Sequence, residues 1–146
     1  MLKLIRTSFI LLLFANNFAS KDCSCKKLPN DAKTKTGWMQ IQVAEEKPVK
    51  TIQGKVVDGN EDVLIGSFVE VFKNEEPDND TEDDSAQKRL AGCEIGEDGK
   101  FCFTKLPAGK YAVRVSQTGF DTLTILVEVS PRGISKKIEA VMKPSD

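Results

Sequence analysis

From residue 51 to the last residue, no polarity pattern persists for long: short runs alternating apolar and polar residues are repeatedly cut by glycine and proline. Alternation with a period of two marks a half-buried strand, and no stretch of useful length carries the 3.6-residue period of an amphipathic helix. Seven runs qualify as strands: 51–57, 67–73, 87–94, 100–104, 110–117, 122–129 and 136–142. The breaks hold Asp58-Gly59-Asn60, Gly96-Glu97-Asp98-Gly99, Leu106-Pro107-Ala108-Gly109, Thr118-Gly119 and Pro131-Arg132-Gly133. Glycine supplies positive φ, and proline the fixed φ, that such turns require.

The alternation also assigns faces. Tyr111, Val113 and Val115 share one side of their strand, while Ala112, Arg114 and Ser116 share the other. Leu123, Ile125, Val127 and Val129 line up in the next strand, and Ile138, Ala140 and Met142 in the last. One apolar face per strand is what two packed sheets require. The expected fold is an all-β, seven-stranded antiparallel sandwich over residues 50–146, behind a leader spanning 21–49.

The first twenty residues have the order of a secretory signal. Lys3 and Arg6 precede an apolar stretch from Ser8 to Phe14, which is too short to cross a bilayer, and small or polar residues follow from Ala15. Cleavage after Ala19 or Ser20 leaves roughly 126 residues, one domain's worth. Lys3 and Arg6 leave with the signal, so 21 basic residues become 19 against 22 acidic ones, a net charge of −3. No basic patch points to nucleic acid, and no later stretch has membrane length. The expected location is therefore extracytoplasmic: secreted, or held in a periplasm or cell envelope. Residues 21–37 read as a flexible leader, and the segment from Trp38 to Val43 as a short strand or a piece packed across the sandwich edge.

All four cysteines, Cys23, Cys25, Cys93 and Cys102, lie beyond the signal. An even number in an exported chain is first a disulfide framework. A two-residue Glu97-Asp98 loop would place Cys93 opposite Cys102 and favour a bridge between them. A three-residue loop with a bulge at Gly99 would turn them to opposite faces and leave each to reach the leader pair. We expect the hairpin bridge, although it leaves Cys23 and Cys25 as a strained ring, which argues for the leader pairings. Zinc would need three or four converging ligands, and the chain has no histidine. That absence also removes the Ser-His-Asp and Cys-His systems, so no catalytic residue is assigned and no cofactor expected.

A resemblance enters over residues 50–143. Gly54-Lys55-Val56-Val57-Asp58, the run from Leu64 to Val71, Asp98-Gly99-Lys100-Phe101-Cys102-Phe103, Leu106-Pro107-Ala108-Gly109-Lys110-Tyr111 and Gly119-Phe120 occur in that order. Together they resemble the carboxypeptidase regulatory-like domain, in the manner of its small secreted bacterial members. This is a transthyretin-like, immunoglobulin-like sandwich found beside peptidases, in outer-membrane receptors and in bacterial surface proteins. The resemblance implies scaffold roles for Asp98, Gly99, Phe101, Phe103, Leu106, Pro107, Gly109 and Tyr111. Asp98-Gly99 would close a hairpin with Gly99 left-handed and both phenylalanines inward, and Pro107 with Gly109 would return Tyr111 to the core.

Two further constellations are weighed. The stretch from Glu75 to Asp84 is strongly acidic, and Asp78, Asp80 and Glu82 have the spacing of calcium-loop ligands. It lacks the turning glycine and the closing bidentate Glu, so a solvated loop is the plainer reading. Asn79-Asp80-Thr81 is also a glycosylation sequon. The isopeptide bonds of related surface sandwiches need a Glu four residues after the motif Tyr, where this chain has Val115.

Three functions remain. The first is a non-catalytic envelope or extracellular module for protein contact or spacing. The second is a carbohydrate-binding module, for which an exposed Trp38 on a flat face would speak. The third is a transthyretin-like hydrolase, which the missing histidines disfavour. The expected partner is an extracytoplasmic protein or a glycan.

Overall fold

The structure, a computed structural model, describes residues 25–29, 39–43, 47–74 and 89–146. Nine strands are present among them: β1 (Lys26–Lys27), β2 (Met39–Val43), β3 (Ile52–Val57), β4 (Phe68–Lys73), β5 (Arg89–Glu94), β6 (Lys100–Phe103), β7 (Gly109–Ser116), β8 (Thr122–Val129) and β9 (Ile138–Val141). The seven strands expected after residue 50 are all found, and the two extra ones come from the leader. No helix occurs among the described residues, so none there is long and apolar enough to cross a membrane. Cys23, Trp38 and the acidic candidates Asp78, Asp80 and Glu82 lie outside the described residues, as does the signal segment.

The strands form a six-stranded sheet ordered β1-β5-β4-β7-β8-β2 and a three-stranded sheet ordered β6-β3-β9. Their facing sides make one core. Val69, Val71, Val113, Val115 and Ile125 from the large sheet meet Ile52, Val56, Phe101, Ala140 and Met142 from the small one. The faces match those assigned from alternation, because a one-residue slip would carry every valine into water. Most neighbours are antiparallel, but β2 runs parallel to β8 and β9 parallel to β3. The second arises because the chain leaves β8, turns at Pro131-Arg132-Gly133 and crosses to the other sheet, where it lies beside β3 in the same direction.

The Asp98-Gly99 turn differs from expectation. The amide of Gly99 donates to the carbonyl of Gly96 at 3.1 Å, the Asp98 carboxylate accepts from the Lys100 amide, and Gly99 is left-handed at φ 70°. The turn is therefore the anticipated chemistry, yet β5 and β6 do not pair. The chain passes from the large sheet to the small one, and β6 pairs with β3. The register places Phe101 opposite Gly54, and the Phe101 ring fills the space a Gly54 Cβ would occupy, a contact of 2.8 Å. Aromatic cover of a strand glycine is a specific cross-strand fit that β5 does not offer.

Tyr111 is buried, as the motif implied, and its hydroxyl donates to the carbonyl of Pro107. That bond closes the Leu106–Gly109 turn from inside the core and satisfies a phenol that would otherwise be costly to bury.

Candidate interaction surface

Two regions of the large sheet carry chemistry, and residues 25–29 reach both, pairing with β5 at the first and touching the second through Arg89. The first is an edge clamp. β1 pairs antiparallel with β5, and the Leu28 amide donates to the Gly92 carbonyl at 3.0 Å. A disulfide joins Cys25 to Cys93 with Cα atoms 5.6 Å apart. Leu28 lies over Gly92, the one β5 position without a side chain to displace it. Cys102 is also disulfide-bonded, and no described cysteine is free. The expected Cys93–Cys102 bridge is thus replaced, since its two cysteines sit in different sheets and Cys93 is taken by Cys25. An open cleft of ≈ 330 Å³ borders this clamp, with Leu28, Leu90 and Phe103 on its walls and Lys27 and Lys105 among its lining residues.

The second region is the outer face of the same sheet. Period-two alternation turns Phe68, Glu70 and Phe72 of β4 away from the core, with Ala112, Arg114 and Ser116 of β7 beside them. The register sets Glu70 against Gly92 on one side and Arg114 on the other, and Arg114 against Thr124 of β8. One rung across the sheet therefore reads Gly92, Glu70, Arg114, Thr124.

The rung is strongly polar yet largely shielded from water. Glu70 is only 2% exposed, and its carboxylate accepts from the Arg89 guanidinium at 3.0 Å, with the Arg89 side chain 9% exposed. Arg89 reaches it because a β-bulge between Val71 and Phe72 shifts β5 by one residue, bringing Arg89 opposite Phe72. Arg89 also donates to the carbonyl of Pro29, so one guanidinium joins the sheet to the leader. Arg114 instead lies over the Phe72 ring, 4.7 Å from its centroid, a cation–π contact. Thr124 is 8% exposed, and its hydroxyl has no hydrogen-bond partner among the described residues.

Phe101, Phe103 and Tyr111 are core residues, while Asp98, Gly99, Leu106, Pro107 and Gly109 build the two turns; none of them converges on a site. Val115, at the isopeptide position, is fully buried in the core. Among the described residues no three Cys, Asp or Glu gather as metal ligands would. Glu70, Arg89, Arg114 and Thr124 were not singled out from sequence. Their one signal is a charge set within an apolar strand, as in Phe68-Val69-Glu70-Val71-Phe72, which alternation alone assigns to solvent.

The model of the carboxypeptidase regulatory-like domain matches residues 51–143. The chain belongs to this family. Its matched span runs from the start of β3 to just past β9, so the clamp formed by residues 25–29 lies outside the regulatory-like domain proper. Among curated proteins, none matches the chain. Among solved structures, the chain is similar to a 3-chlorocatechol 1,2-dioxygenase from Rhodococcus opacus, with 11% identity and a TM-score of 0.45 over 87% of this chain and 76% of that one. It is also similar to a catechol 1,2-dioxygenase variant from Acinetobacter radioresistens, with 16% identity and a TM-score of 0.37 over 70% of this chain and 45% of that one. Neither likeness bears on the chemistry of this regulatory-like domain.

Proposed function

We propose that this regulatory-like domain is an exported, non-catalytic module whose large sheet makes contact with another protein. The observation that carries the reading is the outer face of that sheet. Sugar sites stack rings on a free aromatic face, but the Phe72 ring is 6% exposed and already covered by the Arg114 guanidinium. The face instead offers the half-buried Arg114 beside the exposed Phe68 on a rigid sheet, a charge next to an apolar contact, which suits recognition of a protein surface. Export is supported by the Lys3, Arg6 and 8–14 signal pattern together with oxidised cysteines, since disulfides persist outside the reducing cytosol.

The test uses the oxidised mature protein, starting near Lys21, immobilised and exposed to its own extracellular or envelope fraction. A parallel arm offers a panel of neutral and acidic glycans. Specific, saturable retention of a protein with no glycan binding is the expected result. Saturable binding to a glycan, with no protein retained, would replace the protein-contact reading by a carbohydrate-binding one. Intact Met1 on the native protein in a membrane fraction would overturn cleavage and release.

A further inference from the structure

The cleft beside the leader clamp is open to solvent and lined by charge of one sign. Its charged lining residues are Lys27 and Lys105, both exposed, and no Asp or Glu is among the described residues that line it. Leu28, Leu90 and Phe103 give it apolar walls, and Leu90 is 45% exposed. The walls are set in advance, since the Leu28 amide donates to the Gly92 carbonyl and the Cys25–Cys93 disulfide ties the leader to β5. A site held ready in this way loses little freedom on binding. Lys105 is also left-handed at φ 66°, a conformation that glycine adopts freely and a lysine only at a cost. Strain of that kind collects at binding sites.

Strand edges flank the cleft. β6 ends the small sheet, and β5 has only the two-residue β1 beyond it among the described residues. An open edge accepts an extended chain, and lysines beside it turn away a second copy bearing the same charges. We propose that the cleft receives an extended acidic segment of a protein partner, an apolar side chain entering between Leu90 and Phe103 while carboxylates flanking it meet Lys27 and Lys105. An ammonium is a point charge, so the two lysines attract the segment and set its position, and the apolar residue supplies the burial. A fatty acid brings the same carboxylate, but in an open cleft its chain would stay partly in water, whereas a peptide has only a side chain to bury. The proposal rests on the protein-contact reading and adds a site at the edge of the large sheet, with its chemistry.

The probe is a fluorescein-labelled peptide with a single Leu flanked by Glu on both sides, titrated by anisotropy against the oxidised mature protein. A Gln-for-Glu peptide and a Ser-for-Leu peptide are its counterparts, and each should bind about tenfold more weakly. Lys27→Gln and Lys105→Gln should each lose about two- to fivefold, the scale of an exposed ion pair, and the double variant about tenfold. Lys105→Gly should lose as much as Lys105→Gln with its thermal transition unchanged or raised, because glycine is at ease at that φ, which separates binding from folding. Leu90→Ser should lose roughly three- to tenfold. Lys55→Gln, on the outer face of the small sheet, should bind as wild type.

Equal losses in Lys105→Gln and Lys55→Gln would overturn the proposal in favour of diffuse charge attraction, and unchanged binding in the Lys27→Gln/Lys105→Gln double variant would overturn it outright. Tighter, Lys105-dependent binding of decanoate than of the peptide would assign the cleft to a free fatty acid and also overturn it. If a protein captured by wild type is still held by the double variant, the site fails while the protein-contact reading stands. If wild type captures no protein, the reading itself fails, and the site with it.

Discussion

Removing the Cys25–Cys93 disulfide by a Cys25→Ser/Cys93→Ser substitution tests whether the leader is part of the folded unit. The bridge spans 68 residues of sequence. Chain-entropy arithmetic for a loop of that size gives about 4.4 kcal/mol at 25 °C if it is the only cross-link in the unfolded chain. It is not the only one, because Cys102 is also oxidised and the sequence holds one other cysteine, Cys23. With a Cys23–Cys102 link retained, the loop newly closed by Cys25–Cys93 shrinks to about a dozen residues, and the expected loss falls to about 3 kcal/mol. Urea unfolding without reductant should then show a midpoint lowered by roughly 1–3 M, given m-values of about 1–3 kcal/mol/M. Non-reducing peptide mapping of the wild type should recover Cys102 linked to Cys23. A midpoint within experimental error of wild type would refute the clamp as a stabilising element. A recovered Cys93–Cys102 peptide would refute the arch between the sheets.

Three other substitutions probe separate parts of the argument. Tyr111→Phe removes the hydroxyl that closes the Leu106–Gly109 turn, and should cost about 1 kcal/mol, whereas Tyr111→Ala should cost about 3–5 kcal/mol through the cavity as well, both read by urea denaturation. Arg89→Ala removes the guanidinium from the Glu70 carboxylate on the covered outer face and should cost about 3–5 kcal/mol, while the double replacement of Arg89 and Glu70 by apolar residues should recover much of it. Gly54→Ala places a methyl 1.9 Å from the Ile138 carbonyl oxygen and under the Phe101 ring, so it should open the small sheet, with amide exchange of β9 accelerated before that of β7.

The seven strands after residue 50 were legible because their faces alternate strictly and glycine or proline marks nearly every boundary. Tyr111 was legible for a related reason, since its turn and its side of the strand both point inward. What alternation does not carry is which strand pairs with which. Asp98-Gly99 has the composition of a hairpin turn and of an arch between sheets alike, and the choice is decided by Phe101 covering Gly54, forty-seven positions earlier in the chain. The Cys93–Cys102 expectation inherited that error. The leader was harder still: Lys26 and Lys27 have no strand signature, and they are held by a disulfide, by Leu28 over Gly92 and by Arg89 bonding Pro29, all contacts with a strand sixty or more residues away.

Glu70 went unremarked in the sequence for the same reason that the topology was not legible there. A glutamate inside Phe68-Val69-Glu70-Val71-Phe72 belongs, on a period of two, to the solvent face, and a solvated carboxylate there would need nothing else. In the folded protein that face is shielded, and a shielded carboxylate costs several kcal/mol unless a partner meets it. Arg89 is that partner, brought into reach by the bulge in the β4–β5 ladder, and its second bond to Pro29 makes the pair a fastening for residues 25–29.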